Sequence, residues 1–311
     1  MSIRWVVALG AVASGVGFIV ACSGASSNTV TLSATQGATE LASALCARYN
    51  DCAPTFVNIA YGSVDECKTR LSLSIAKGVG ATGSNLTPTE LETCSKDVPA
   101  ISCEDILGRK LPATCKPPAG TLADGAACNA DAQCANKRCK VATNATCGVC
   151  AAPAAAGGAC TKNDDCDDGL GCTGAICVAF GGTGSTCDAT HPCNSTLGCV
   201  GGKCGAPSKA GTACKDSTEC DQLHGAFCDG KICQTVSLGP VAAECGLVGG
   251  QLALCTGPAS CVGFGGKSLK GTCTQAPADG TACNVDGGAK CEDPAQCVNG
   301  TCTFPDPAAC K

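Results

Sequence analysis

The chain has 311 residues, 33 of them cysteine, with a formal charge of −5 and 3% aromatic residues. So few aromatic side chains exclude a large shared core, and a cysteine content above about 8–10% reads as the disulfide scaffold of an exported chain. The mild acidity, with no basic stripe and no interleaving of basic and aromatic residues, argues against nucleic acid as a partner.

Residues 1–21 read as an export signal. Arg4 carries the positive charge, and Trp5 to Ala21 is an uncharged run rich in Val, Ala and Gly, short for a spanning helix. The run ends Ile19-Val20-Ala21-Cys22, which resembles a bacterial lipobox. The resemblance implies a lipoprotein signal peptide and acylation of Cys22 by palmitate-like chains. Several chains on one residue anchor stably in a lipid membrane. Ser23, where an Asp favours the inner membrane, implies the outer membrane of a bacterial cell envelope, periplasmic or surface-exposed. With Cys22 lipidated, an even number of thiols remains, and an oxidising compartment should pair them. Residues 22–36, the lipidated Cys followed by a polar, uncharged stretch, read as a flexible tether.

Residues 37–117 have helical periodicity and six cysteines: Cys46, Cys52, Cys67, Cys94, Cys103 and Cys115. Leu41, Leu45, Tyr49 and Cys52 form one stripe. Ser63 with Glu66 predicts a capping box ahead of Val64, Cys67, Leu71 and Ile75, ended by Gly78. Thr87-Pro88-Thr89-Glu90 predicts another, with proline at the first helical position. Ser102 to Leu107 predicts a further turn or two, stopped by Gly108. The expectation is a small disulfide-bonded α-helical domain of open connectivity.

Beyond it the chain reads as small disulfide-rich modules in tandem, made of short β-hairpins with little regular structure. The modules are a five-Cys unit at 118–152, four-Cys units at 157–180, 184–206 and 211–236, an irregular four-Cys unit at 242–275 and a five-Cys unit at 280–311. Cys160, Cys166, Cys172 and Cys177 are spaced C-x5-C-x5-C-x4-C. Cys187, Cys193, Cys199 and Cys204 repeat that spacing, and Cys214, Cys220, Cys228 and Cys233 repeat it with two residues inserted. G-x-x-C opens every module except the one at Cys245. Gly201-Gly202 and Asn299-Gly300 predict two-residue hairpin loops, the latter of type I′, while Gly174 and Gly230 suit type II′. Across such a loop Cys199 and Cys204 face each other, so distance permits a third-to-fourth bond. Compactness favours first-to-third and second-to-fourth, because that pairing pins the upstream loop onto the hairpin. The five-Cys sets, Cys128, Cys134, Cys139, Cys147, Cys150 and Cys283, Cys291, Cys297, Cys302, Cys310, are odd in number. At least one bond must therefore leave them, toward each other or toward neighbours.

The unit from Gly157 to Cys177 (GGACTKNDDCDDGLGCTGAIC) resembles the N-terminal cysteine-rich module of Dickkopf proteins, a module that recurs in myxobacterial lipoproteins. Leu197-Gly198-Cys199 keeps a trace of it, and His224-Gly225 departs from it. The helical region resembles that of cysteine-rich lipoproteins from predatory and social deltaproteobacteria. The likeness is one of spacing, and Wnt antagonism does not carry over.

Catalytic and metal chemistry finds little purchase. Cys147-Gly-Val-Cys150 has the form of a redox CxxC without the βαβ context that lowers a thiol pKa, so structural disulfide bonding is expected. Zinc is disfavoured by export and by the lone CxxC. His191 and His224 are the only histidines and read as solvated loop residues, with no paired Asp and Ser in view. Residues 163–169 (NDDCDDG) concentrate acid without EF-hand spacing, so a solvated loop outweighs a calcium site. The expectation is a non-enzymatic lipoprotein with no cofactor and no metal, acting in structure, adhesion or protein binding toward an unidentified protein or surface glycan. The rival expectation is a secreted or surface protease inhibitor, with Lys162 or Lys215 as bait.

Overall fold

The computed structural model describes residues 33–310, apart from 143, 266–267 and 285–287. The expected export signal and the expected lipidation site Cys22 lie outside the described residues. Five helices come first: α1 (Ala34–Cys52), α2 (Pro54–Ala60), α3 (Val64–Gly78), α4 (Pro88–Asp97) and α5 (Cys103–Leu107). Ser33 caps α1 by accepting from the Gln36 N–H, so the helix starts inside the segment expected to be tether. Thr87 and Glu90 form a reciprocal capping box, whereas Ser63 accepts from the Glu66 N–H as the cap of α3. The apolar stripe gives no sign of α2; it restarts after Cys52 because Pro54 sits at its first turn.

The helices enclose one core. Ala38, Leu41, Ala42, Cys46 and Tyr49 of α1 meet Val57, Cys67, Leu71, Leu91, Val98 and Ile106. Small residues on α1 let α3 and α4 approach closely. Cys46–Cys67 ties α1 to α3, Cys52–Cys103 ties α1 to α5, and Cys94–Cys115 ties α4 to the 3₁₀ turn that ends the region. This core is confined to the helices and the turns that join them.

The rest is short strands, almost all paired antiparallel. β1 (Ala127–Cys128), β2 (Cys139–Val141) and β3 (Gly148–Cys150) make a three-stranded sheet ordered β1-β3-β2. Three two-stranded hairpins follow: β4 (Leu170–Thr173) with β5 (Ile176–Ala179), β6 (Gly198–Val200) with β7 (Lys203–Gly205), and β8 (Ala226–Cys228) with β9 (Cys233–Thr235). β10 (Ser237–Gly239), β11 (Glu244–Val248), β12 (Gln251–Cys255), β13 (Ser260–Val262) and β14 (Lys270–Thr274) form a five-stranded sheet ordered β10-β12-β11-β14-β13. β15 (Gln296–Val298) and β16 (Thr301–Thr303) close the chain. Five of the six cysteine sets, all but that of Cys187 to Cys204, have their own small sulfur-centred cluster.

The Ala, Pro and Gly connections are not slack. Ala154 lies within the Ala151–Gly158 connection, yet it bridges in parallel to Cys166, and Gly181 and Ser208 do the same to Cys193 and Cys220. Nor do the sets hang apart from the helices. The Gln133 amide donates to the Thr82 carbonyl at 2.8 Å, and the Arg109 guanidinium to those of Asn163 and Leu170 at 2.8 and 3.0 Å. The Gly257 N–H donates to Asn58 O at 2.8 Å, where any Cβ on Gly257 would strike the α2 backbone.

The firmest joint is at Arg70, which lies on the inner face of α3 with 8% of its side chain exposed. It makes a two-pronged bond to Asp279 at 2.8 and 3.1 Å and donates to the carbonyls of Glu292 and Asp293, both at 2.8 Å. Phe304 lies under it at 5.3 Å from ring centre to guanidinium carbon, and Lys77 pairs with Asp306 at 2.7 Å. The last cysteine set is therefore docked on the first folded unit, more than two hundred residues away in sequence.

Candidate functional site

Each repeated unit is assembled from the same few bonds. The glycine of G-x-x-C sits in the left-handed region, with φ of 83° at Gly125, Gly157 and Gly184, 89° at Gly211 and 79° at Gly280. A residue with a Cβ pays strain there, which accounts for the glycine. From that position its N–H reaches the carbonyl of the last cysteine of the hairpin: Gly157 to Cys177, Gly184 to Cys204, Gly211 to Cys233 and Gly280 to Cys302. The set that lacks the glycine keeps the geometry. Ala242 occupies the position at φ 71° and donates to the Cys273 carbonyl at 2.7 Å.

A 3₁₀ turn then precedes the second cysteine in three of the sets: Asp131–Gln133, Asn163–Asp165 and Ser217–Glu219. The first residue of each turn accepts from the N–H of the third cysteine: Asp131 from Cys139, Asn163 from Cys172 and Ser217 from Cys228. The last residue reaches back to the loop behind the first cysteine. Gln133 accepts from the Asn129 and Ala130 N–H groups, Asp165 from those of Thr161 and Lys162, and Glu219 from that of Lys215.

With loop and hairpin so placed, the sulfurs interleave. Cys160 bonds to Cys172 and Cys166 to Cys177; Cys187 to Cys199 and Cys193 to Cys204; Cys214 to Cys228 and Cys220 to Cys233. The stretched set follows suit with Cys245–Cys261 and Cys255–Cys273, as does the last with Cys283–Cys297 and Cys291–Cys302. Cys199 and Cys204 do face each other across the hairpin, yet each bonds outward to the upstream loop. Gly201-Gly202 and Asn299-Gly300 have positive φ at both loop positions, as type I′ requires. Gly174 departs from the type II′ expectation: Ala175 beside it also has positive φ, at 65°, giving type I′. Only Gly230 has positive φ in its own loop.

The odd counts of the end sets resolve into one bond. In the first set Cys128 pairs with Cys139 and Cys134 with Cys150, and Cys150 takes the place of a fourth cysteine by accepting from Gly125. Cys147 is then spare, and so is Cys310. They bond to each other across 163 residues, with Cα atoms 5.5 Å apart. This clasp closes the whole run of cysteine sets into a covalent ring. The two cysteines of the CxxC thus belong to different structural disulfides. A cavity of about 360 Å³ is lined by Asn144, Asn284, Asn299, Gly300, Cys283 and Cys297.

The acidic loop is occupied by the protein's own cations. Asp165 has no exposed side-chain surface; it pairs with Lys140 at 3.3 Å and accepts from the Thr161 N–H and hydroxyl at 2.7 and 2.6 Å. Asp168 pairs with Arg138 and Lys116, and Asp164 with Arg109. Burial holds the Asp164 carboxyl above its ordinary pKa, against the pull of Lys162 and Arg109. The carboxylates that a calcium ion would need therefore serve as a joint between the helical unit and the first two sets. Sulfurs also cluster, as at Cys128, Cys134 and Cys150, because two disulfides stack in each set. An oxidised sulfur is not the thiolate that zinc requires.

Both histidines have the Asp partner that the sequence reading overlooked. His191 Nδ1 lies 3.0 Å from Asp188, and His224 Nδ1 2.9 Å from Asp221, each an i,i+3 pair in an exposed loop. The nearby hydroxyl of Thr190 bonds the same Nδ1 and the same carboxylate, whereas a catalytic triad puts its nucleophile on the opposite ring nitrogen. The Lys162 ammonium is turned inward onto the Val141 carbonyl and is not displayed as bait. Lys215 is exposed beside Cys214, but the chain past it winds into a 3₁₀ turn. Arg70 and Phe304 were missed as well; the available signal was an arginine on the Cys67–Leu71–Ser74 face of α3.

No family model, no curated protein and no solved structure matches this chain.

Proposed function

We propose that this chain is a non-catalytic lipoprotein of the bacterial outer membrane, held by acylated Cys22. Its disulfide-stapled modules, arranged in tandem and similar in spacing to the Dickkopf cysteine-rich module, serve structure, adhesion or protein binding at the envelope. The observation that carries this reading is the ring closed by Cys147–Cys310 around contacts to the helices. A surface cross-linked this densely loses little conformational freedom when it binds, so more of its contact energy goes into affinity. Every cysteine from Cys46 to Cys310 is bonded, as export into an oxidising compartment favours.

Metabolic labelling with a fatty acid tests the anchor. Cys22→Ala should abolish both the label and membrane retention. Intact mass with and without alkylation should show the acyl chains and no reactive thiol; several alkylated cysteines in a folded sample contradict the reading. The protease-inhibitor alternative rests on Lys215 alone, and a panel of trypsin-like proteases inhibited by the chain but not by Lys215→Ala would establish it.

A further inference from the structure

The stretched set at 242–275 differs from the others in what it shows to solvent. Three large apolar side chains stand out close together there, whereas each two-stranded set at 157–236 exposes one. Gly265 and Ser268 form an antiparallel bridge, which puts Phe264 directly across from Leu269. Lys270 pairs with Gly246 and the Leu247 N–H donates to Leu269 O at 2.7 Å, so Leu269 faces Leu247 on β11. Leu247 in turn pairs with Leu252 on β12. Register partners project to the same side of a sheet. Leu269, Leu247 and Leu252 therefore form one row from the edge of β14 across β11 and β12, and the Phe264 ring packs against Gly246 beside it. Phe264, Leu269 and Leu247 are 47%, 64% and 42% exposed, and Leu252 is half-buried. Among the described residues the remaining exposed large apolar side chains are Val241 just before this set, Val149 in the first set and Ile176, Val200 and Ile232 in the regular sets.

We propose that this row is a membrane-docking face, its occupant the acyl boundary of the bilayer that holds Cys22; the inference rests on the lipoprotein reading above. The chain between Cys22 and the first described residue can extend to at most about 40 Å. The set that carries the row is docked on α2 through Gly257, about one length of α1, roughly 28 Å, from Ser33, a distance the tether can span. Tethering also raises the local concentration of lipid at the surface far above that met by a free protein. Four apolar side chains, too few to bind a free protein to vesicles, then suffice to select the resting orientation. Lys270, next in sequence, projects to the opposite face and pairs there with Glu244 at 3.3 Å, so its charge does not interrupt the row.

The only Trp of the chain is Trp5, in the export signal, so Phe264→Trp places a single reporter in the mature lipoprotein. The variant is reconstituted in phosphatidylethanolamine–phosphatidylglycerol vesicles with brominated acyl chains. Expected are co-flotation with the vesicles, a blue-shifted emission from the introduced indole and at least two-fold quenching. Leu247→Asp with Leu269→Asp in that background should abolish the quenching while flotation persists; both sites are exposed, and the absence of reactive thiols verifies folding. Flotation without quenching overturns the docking face and leaves the anchor standing. Loss of flotation overturns the anchor, and the docking face falls with it. Shielding of the reporter indole that depends on protein concentration and not on lipid assigns the row to a second copy of the chain, which also overturns the proposal.

Discussion

Removing the clasp, by Cys147→Ser together with Cys310→Ser so that no lone thiol remains to scramble, isolates the effect of ring closure. The bond spans 163 residues. Chain-entropy reasoning assigns such a loop about 5 kcal/mol at 25 °C. The disulfides inside the loop give the unfolded chain shortcuts, which reduce the effective contour to about a hundred residues and the figure to about 4.7 kcal/mol. The correction is small because the dependence is logarithmic. In the folded state, Arg70 with Asp279, Lys77 with Asp306 and Phe304 still hold the last set in place. The loss should therefore come from a freer unfolded chain and not from a rearranged native one. Urea unfolding followed by far-ultraviolet circular dichroism of α1–α4 reads it. The midpoint should fall by more than about 1.5 M, given slopes of roughly 1–3 kcal/mol/M, and the slope should steepen as the unfolded state expands. A variant within about 1 kcal/mol of the parent would refute the reasoning, since the ring would then constrain nothing that the other bonds do not already constrain.

Other substitutions probe the remaining joints. Arg70→Ala strips four hydrogen bonds from a nearly buried guanidinium and leaves the Asp279 carboxylate without its partner. It should cost about 3 kcal/mol and expose the 275–280 connection to proteolysis, with Arg70→Lys recovering only part because an ammonium cannot make the two-pronged contact. Gly184→Ala meets nothing within 4 Å of its new Cβ and should lose about 1 kcal/mol from backbone strain alone. Ala242→Gly, at the equivalent left-handed position, should gain up to about 1 kcal/mol in thermal unfolding; a loss there would contradict the shared geometry. For Asp165, burial raises the carboxyl pKa, but the Thr161 hydroxyl and N–H, with Lys140, outweigh it and leave the net value below the ordinary one. The stabilisation is then complete above the unfolded carboxylate pKa of about 3.9 and is lost as pH falls through the lower folded value. Asp165→Asn should thus destabilise by about 1–3 kcal/mol at neutral pH, and the difference from the parent should shrink in acid.

What the amino-acid order determined by itself was local. Helix starts at Thr87 and Ser102, the stop at Gly78, the paired turn glycines at 201–202 and the units marked by cysteine spacing all depend on bonds within a few residues, and short-range sequence carries those. The start of α1 and the presence of α2 were not legible, because a polar stretch and an Ala-Pro step look alike in tether and helix. Parity required a bond leaving the two end sets. That Cys147 should meet Cys310, that Arg70 should turn inward to Asp279, and that the aspartates at 164–168 should be claimed by Arg109, Arg138, Lys116 and Lys140 were decided by tertiary structure alone. Those partners lie tens to hundreds of residues apart in sequence. Spacing within one unit carries no information about a neighbour that reaches it only when the chain has folded back on itself.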